Sequence, residues 1–171
     1  TLLAGLELNG PLLTSDRGRD RGLRFHDLDN DGICELIVAN ESQQAVFSWD
    51  PMQRRWTKLP FALPAGASVV DSQGRDAGLR LIDIDGDGYD DVLFSNDDHY
   101  SLSLFTSMRD GWSRQVRAGK RGDKDEIPAL VRNGTNNGGW FLNRTLWVQN
   151  EQTAALPDGV DRRTFAQLLE G

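Results

Sequence analysis

An internal repeat of 56 residues is the feature that most restricts what this chain can fold into. Identical residues recur at that offset without a gap, from the Gly18/Gly74 pair to the Trp56/Trp112 pair. The identities include glycines, arginines, a tryptophan and a set of aspartates, so the likeness extends well beyond one motif. Repeats of this length are typical of architectures that stack similar units, because one unit cannot bury its hydrophobic face alone.

Each copy has the pattern of four short β-strands. Apolar and polar residues alternate over 23–26, which predicts a half-buried first strand. A continuous apolar run follows in each copy, and a third strand is predicted over 45–49 and 100–105. Trp56 and Trp112 open the predicted fourth strand after a turn. Four short strands per unit are typical of a β-propeller blade.

The sequence predicts two full units and a degraded third within one module of 171 residues. Repeat 1 covers 16–71 and repeat 2 covers 72–127. Residues 128–156 form the third, which keeps the strand Leu146-Trp147-Val148 but no acidic loop. Residues 1–15 have the pattern of the last strand of a preceding unit. Since a closed propeller has at least about four blades, we expect an all-β fold of about three four-stranded blades, as a partial propeller or a piece of a larger one.

The C-terminal segment 157–171 is predicted to be helical. Phe165, Leu168 and Leu169 share one face at helical spacing, and Asp161 is placed as an acid in the first turn. We therefore expect a short helix after the last strand.

A nine-residue acidic motif, D-x-D-x-D-G-x-x-[DE], lies between the first two predicted strands of both full units. Three carboxylates at alternate positions of a tight turn repel one another unless a cation lies between them. The glycine permits a sharp turn, and the next residue offers its backbone carbonyl, as in the first half of an EF-hand loop. The predicted metal ligands are Asp27, Asp29, Asp31, Ile33 and Glu35 in the first loop, and Asp83, Asp85, Asp87, Tyr89 and Asp91 in the second.

Calcium fits this ligand set better than magnesium does. Calcium takes six to eight oxygen ligands, whereas magnesium keeps several waters in a strict octahedron. The alternative is a pair of solvated acidic turns without a metal. Two copies of the motif in register favour two Ca²⁺ sites that fix the turns between strands. No base stands beside an open coordination position, so we expect this chain alone not to be an enzyme.

The charge distribution agrees with the metal interpretation. The chain carries 26 acidic and 19 basic residues, a net charge of −7. Nine of the 26 acids lie in the two loops, so the rest of the chain is slightly basic. An acidic chain is a poor general ligand of nucleic acid, and no apolar run is long enough to span a membrane. The single cysteine excludes an internal disulfide.

The two loops resemble the calcium loops of FG-GAP/VCBS-type β-propeller repeats. The resemblance covers roughly residues 16–116 and rests on the two acidic motifs in their strand-loop-strand setting. It implies a β-propeller with calcium at those loops and an extracellular or periplasmic location. It also implies a scaffold or interaction role within a larger secreted bacterial protein, whose other domains and a protein or glycan ligand are the expected partners.

A narrower resemblance covers roughly residues 74–166. The segments Gly111-Trp112-Ser113-Arg114, Asn133-Gly134-Thr135-Asn136-Asn137-Gly138 and Asp161-Arg162-Arg163 are similar to parts of PVC-type haem-binding CxxCH proteins, which are large secreted bacterial proteins of the dehydrogenase class. This chain has no C-x-x-C-H motif. The resemblance therefore implies an accessory domain of a periplasmic haem-containing dehydrogenase assembly, with the redox chemistry elsewhere.

A polar, glycine-rich loop with aromatic residues, 136–141, is open to two interpretations. Asn136, Asn137 and Trp140 could hold a glycan or another small ligand, as in a lectin-like propeller. The simpler interpretation, which we favour, is a turn followed by a buried tryptophan in a blade strand.

A few further positions carry expectations. His26 and His99 have no evident acidic partner and are not predicted to act as bases. Cys34 is predicted to be a small buried strand residue. Arg24 and Arg80 precede the loops on the polar face, where they either bridge to acids of a neighbouring blade or are solvated.

Overall fold

The structure, a computed structural model, describes residue 3 and residues 6–170. These residues form fifteen β-strands in antiparallel sheets, two 3₁₀ turns and one short α-helix. The predicted all-β fold is confirmed. Within this part of the chain no helix is long and apolar enough to cross a membrane.

The first full unit is a four-stranded meander in which each strand pairs with the next along the chain. Its middle strands are buried, whereas the two outer strands are partly exposed. A two-stranded hairpin, β1 (Ser15–Asp16) and β2 (Arg19–Asp20), precedes it. The strands of the unit are β3 (Leu23–His26), β4 (Glu35–Ala39), β5 (Gln44–Asp50) and β6 (Arg55–Lys58).

The second unit repeats this meander, and its first two strands lie 56 residues after β3 and β4. Its fourth strand begins at Arg114 and not, as predicted, at Trp112. Trp112 instead turns into the core, where its indole Nε1 donates to the carbonyl of Asp90 at 2.9 Å. The strands are β7 (Leu79–Ile82), β8 (Asp91–Ser95), β9 (His99–Leu104) and β10 (Arg114–Lys120).

The third unit has a sheet of three strands, one fewer than predicted. The predicted strand at 146–148 is confirmed as part of the central strand. The third strand of this sheet comes from residues beyond 156, the predicted end of the unit. A short hairpin, β11 (Val131–Arg132) and β12 (Thr135–Asn136), leads into the sheet, whose strands are β13 (Gly139–Phe141), β14 (Thr145–Val148) and β15 (Asp161–Thr164).

The C-terminal segment is helical only in part. Two 3₁₀ turns, Glu151–Ala155 and Pro157–Gly159, precede β15, and the α-helix α1 covers Phe165–Leu169. The prediction of a first-turn acid at Asp161 is wrong, because that residue pairs with β14 in the sheet. The helix begins after Thr164, whose hydroxyl accepts a hydrogen bond from the backbone of the third helical residue.

The region before residue 16 does not form the predicted strand in its described part. An isolated bridge joins Glu7 to Pro11, and the first regular strand is β1. Residues 1, 2, 4 and 5 lie outside the described part of the chain, so the prediction for them stays a prediction.

The three main sheets stack face to face. On β4, Ile37 and Ala39 belong to a core shared with the second sheet, whereas Leu36 and Val38 belong to a core shared with Leu12 and other N-terminal residues. The second sheet is also covered on both sides, since its strands contribute to the core shared with the first sheet and to the core shared with the third. Successive side chains along each central strand therefore point to opposite faces of the sheet and pack against different parts of the chain, as in the stacked blades of a propeller.

Two candidate metal centres

Two loops of equal length join the first and second strands of the full units. In each, the first aspartate accepts a hydrogen bond from the amide of the glycine five residues later. Gly32 N donates to Asp27 Oδ2 at 2.9 Å, and Gly88 N donates to Asp83 Oδ2 at 3.2 Å. Both glycines have positive φ, which lets the chain reverse sharply around the carboxylates.

Three carboxylates converge in each loop. One oxygen of each group lies within 4.8 Å of the others. Two oxygens bound to one Ca²⁺ at about 2.4 Å are at most about 4.8 Å apart, so each triad has the span that a single ion requires. The triads are Asp27, Asp29 and Glu35 in the first loop, and Asp83, Asp85 and Asp91 in the second.

The third carboxylate of each triad is buried at the start of its strand. Glu35 Oε2 accepts from Leu28 N at 2.9 Å, and the two oxygens of Asp91 accept from Ile84 N and Phe105 N, each at 2.9 Å. Burial raises the pKa of Asp91 to about 6, against the lowering effect of these amides, and burial also raises the pKa of Glu35. In both cases repulsion from a neighbouring carboxylate adds to the effect.

The third aspartate of each motif lies apart from these triads. Asp31 and Asp87 are exposed, and each uses Oδ1 to accept the amide N–H of the residue two positions later. These donors are Ile33 N and Tyr89 N. A ligand role for these four residues therefore stays a prediction.

The two loops contact each other directly. Asn30 Nδ2 donates to the carbonyl of Gly88 at 2.5 Å, and His26 Nε2 lies 2.8 Å from Asp90 Oδ2. The expectation that His26 lacks an acidic partner is wrong. His26 has no counterpart histidine in the second unit, so the repeat pattern gave no sign of this pair.

The third unit reaches the second loop through Arg144. Its guanidinium donates to the carbonyl of Ile84 at 2.6 Å and lies over the ring of Phe165, 5.1 Å from the centroid. Ile84 lies between two of the triad aspartates in the chain. The second loop thus contacts both neighbouring units. The contact from the third unit could not be predicted from the repeat, because that unit has no acidic loop.

The structure also shows the surroundings of Arg24, Arg80 and Cys34, for which the sequence analysis stated expectations. Arg24 pairs with Asp20 at 2.6 Å, and Arg80 pairs with Asp76 at 2.9 Å. Each pair lies within one unit, so these arginines bridge neither to a neighbouring blade nor only to solvent. Cys34 is exposed and lies just before β4, contrary to the predicted buried strand position.

The two asparagines of the predicted ligand loop are bonded within the chain. Asn136 exchanges side-chain hydrogen bonds with the backbone of Gly139, at 3.0 and 3.2 Å. Asn137 Nδ2 donates to the carbonyl of Ala129 at 2.9 Å. Both amides therefore shape the turn before the third sheet.

Trp140 belongs to β13 and is 40% exposed, so the interpretation as a buried tryptophan is wrong. Its ring stacks on Trp147 at a centroid distance of 6.2 Å and an angle of 12°. The guanidinium of Arg162 covers Trp147 from the other strand at 4.8 Å. A ladder of three planar groups thus crosses the outer face of the third sheet.

Comparison with known proteins finds a family match that covers both loops. Residues 27–94 match the family model of the FG-GAP-like repeat, a range that contains both triads. Human cartilage acidic protein 1 is 28% identical over 101 residues, which cover 53% of this chain and 15% of the human protein. No solved structure matches the chain significantly. The chain is therefore similar to FG-GAP-like repeat proteins over its two acidic units, and it spans a small part of this relative.

Proposed function

We propose that this chain is a calcium-stabilised repeat module that serves a larger secreted protein as a scaffold or interaction domain. The observation that carries the proposal is the pair of carboxylate triads, each with one buried member, at equivalent places in two stacked units. Carboxylates placed so near one another, with one of them buried, repel one another at a high cost in free energy unless a cation lies between them. An ion bound there supplies positive charge that offsets this repulsion.

The protein's own residues would turn ion binding into fold stability. Asp91 accepts hydrogen bonds from both the second-unit loop and the residue after β9, so it connects three successive parts of that unit. Glu35 makes the corresponding bond to Leu28 in the first unit. An ion held by these groups would fix the position of each loop against its sheet, as expected for a structural metal.

The module role rests on the resemblance and on the family match. Both concern the acidic units of this chain, and its relative is far longer than the matched segment. An extracellular or periplasmic setting, where calcium is abundant, belongs to the same proposal. The resemblance to PVC-type proteins adds the proposal of an accessory place beside a haem domain, which a neighbouring C-x-x-C-H motif in the full-length sequence would support.

A thermal melt with and without calcium tests the proposal. A ligand present at 100 times its dissociation constant stabilises the folded state by about 2.7 kcal/mol. We expect millimolar calcium to raise the Tm by several degrees over EDTA. The Asp29→Asn/Asp85→Asn double variant should lose this shift. Asp98→Asn is the matched control, because Asp98 is an exposed acid outside both loops and should keep the shift.

Two results would contradict the calcium role. One is an equal Tm in calcium and EDTA for the unaltered chain. The other is an undiminished calcium shift in the double variant, which would place the bound ion elsewhere.

Glycan binding is a second candidate function, favoured by the exposed ring of Trp140 and the aromatic ladder behind it. Exposed aromatic rings on a rigid sheet supply a flat apolar surface for a sugar ring. A glycan array should then give hits that weaken in Trp140→Ala and persist in Met52→Ala, an exposed apolar control. An array without hits, or equal binding by both variants, would reject this function.

A further inference from the structure

The fourth position of each acidic loop contacts the next unit along the chain. In the first loop this position is Asn30, whose Nδ2 donates to the carbonyl of Gly88 in the second loop at 2.5 Å. In the second loop it is Gly86, and a Cβ atom there would lie 3.3 Å from the guanidinium of Arg144. The two loops therefore use the same position differently, since only the first reaches its neighbour with a side chain.

The Asn30 contact joins backbone that belongs to both candidate metal centres. Asn30 lies between Asp29, a member of the first triad, and Asp31. On the other side, Gly88 donates its amide to Oδ2 of Asp83, a member of the second triad, at 3.2 Å. The carbonyl that accepts from Asn30 thus belongs to the same residue whose amide contacts Asp83. Any shift of that carboxylate therefore moves the acceptor of the Asn30 amide.

A second contact joins the loops closer to their sheets. His26 Nε2 lies 2.8 Å from Asp90 Oδ2, and each of these residues directly precedes a member of a triad. The carbonyl of Asp90 accepts from the indole Nε1 of the buried Trp112 at 2.9 Å, which connects this contact to the core. The Asn30 contact lies farther out, between exposed residues of the two loops. It is therefore the contact that depends most on how each loop is ordered.

Ordering of one loop should help to order the other. In an ion-free loop the carboxylates of the triad repel one another, which opposes the closed arrangement. An ion at one loop removes this repulsion and holds its half of the contact in place, so the other loop closes against a fixed partner. Such an effect is reciprocal between the two sites. Mutual repulsion of the two ions acts in the opposite direction, but salt screens it, with a Debye length of about 8 Å at physiological ionic strength.

We propose that the two calcium sites bind cooperatively and that Asn30 is the positioning residue that couples them. The inference rests on the proposed function, because it requires that both loops bind calcium, and it adds how the two sites regulate each other. Coupled sites fill over a narrower range of calcium concentration than independent sites do. The first two units would then gain their calcium-dependent stability together.

The repeat itself supplies the substitution that tests Asn30. Asn30 has a φ of 59° and its counterpart Gly86 has a φ of 87°, so glycine suits the backbone at this position. Asn30→Gly therefore removes the side-chain amide without straining the loop. Asn133→Gly is the matched control, because Asn133 is also exposed, has a φ of 48° and lies outside both loops.

Isothermal titration with calcium at one fixed pH measures the coupling. Asp29→Asn gives the association constant of the second site alone, and Asp85→Asn gives that of the first. The coupling factor is the product of the two stepwise constants of the unaltered chain, divided by the product of these single-site constants. We expect a factor of at least about five. With single-site constants measured in its own background, Asn30→Gly should bring the factor to about one, whereas Asn133→Gly should keep it.

A spectroscopic readout separates coupling from a general effect on loop stability. The side-chain amide signal of Asn30 is identified in the ¹H–¹⁵N spectrum by its absence from Asn30→Gly. In Asp29→Asn, calcium at the second site alone should shift this signal, because the carbonyl of Gly88 is then held in place. A role of Asn30 confined to the first loop predicts no shift.

The possible failures are distinguishable. Two bound ions with a coupling factor of about one or less would overturn the inference and leave the calcium module standing. An Asn30 signal that calcium does not move in Asp29→Asn, or an undiminished factor in Asn30→Gly, would overturn the role of Asn30. Absence of calcium binding by the unaltered chain would overturn the proposed function itself, and this inference with it.

Discussion

Three glycines set the start of the sheets at the scale of single residues. Gly22, Gly78 and Gly138 precede the first strand of the three units, and all have positive φ. A Cβ atom at these positions would lie 2.2, 2.5 and 2.0 Å from a carbonyl oxygen at the end of the adjoining strand or, for Gly138, one residue beyond it. Only glycine permits this approach. The third unit thus keeps the glycine and its close backbone approach, although it has no acidic loop.

Substitution of one such glycine should therefore be costly. Gly78→Ala places a Cβ against the carbonyl of Ser95 at φ +104°. We expect a loss of at least about 1–3 kcal/mol in the free energy of unfolding, measured by urea titration. Gly122→Ala is the matched control, since Gly122 also has positive φ but no atom within 4 Å. Equal losses in the two variants would show that the close approach is not important.

Asp91 should give the ion-free protein a characteristic pH dependence. Its pKa is raised to about 6 in the folded protein, whereas an aspartate in an unfolded chain titrates near pH 3.9. Between these values the folded state binds more protons, so this group's contribution to stability is full below about pH 4 and is lost as the pH rises through 6. In EDTA, the Tm of the unaltered chain should therefore fall relative to that of Asp91→Asn as the pH rises from 4 to 7.

Calcium should remove this effect of Asp91. A bound cation favours the ionised carboxylate and so lowers its pKa. In saturating calcium the unaltered chain should therefore show no such loss of stability over the same pH interval. A pH dependence that is the same with calcium and with EDTA would contradict a role for Asp91 at the ion.

At the scale of elements, a two-residue turn replaces the acidic loop in the third unit. Asn143 and Arg144 both have positive φ, and Leu142 and Thr145 exchange backbone hydrogen bonds across them. This geometry is typical of the tight turns that close β-hairpins. The turn brings Arg144 to the second acidic loop, so the degraded unit still contributes to the neighbouring site.

Removal of this contact should affect one loop and leave the other intact. Arg144→Leu loses the hydrogen bond to the carbonyl of Ile84 and the contact with the ring of Phe165. We expect a loss of about 1–2 kcal/mol in the free energy of unfolding. Calcium affinity should fall in the Asp29→Asn background, where only the second site remains, and stay unchanged in the Asp85→Asn background. Equal effects in both backgrounds would show that Arg144 acts only through global stability.

Sequence periodicity predicts elements that the hydrophobic pattern or the repeat specifies. The first three strands of both full units are such elements. The repeated motif likewise predicts that the carboxylates of each acidic loop converge. Strand β15 escapes prediction because its residues, Asp161–Thr164, are all polar or charged, and only pairing with β14 makes them a strand. The link between His26 and Asp90 escapes it for a similar reason, since contacts between units depend on how the sheets stack.

At the scale of the whole molecule, the stacking of three sheets explains both the charge distribution and the exposed aromatic surfaces. The loops of the first two units lie side by side, which concentrates negative charge along one edge of the first two sheets. The two outermost sheets carry exposed aromatic residues, Phe25 on the first and Trp140 on the third.

Counting the calcium ions bound per chain tests the central claim most directly. Isothermal titration of the chelator-treated chain should give two Ca²⁺ ions, in keeping with the two triads. Asp29→Asn and Asp85→Asn should each bind one, and the double variant none. Absence of binding at millimolar calcium, or two ions still bound by the double variant, would contradict the account.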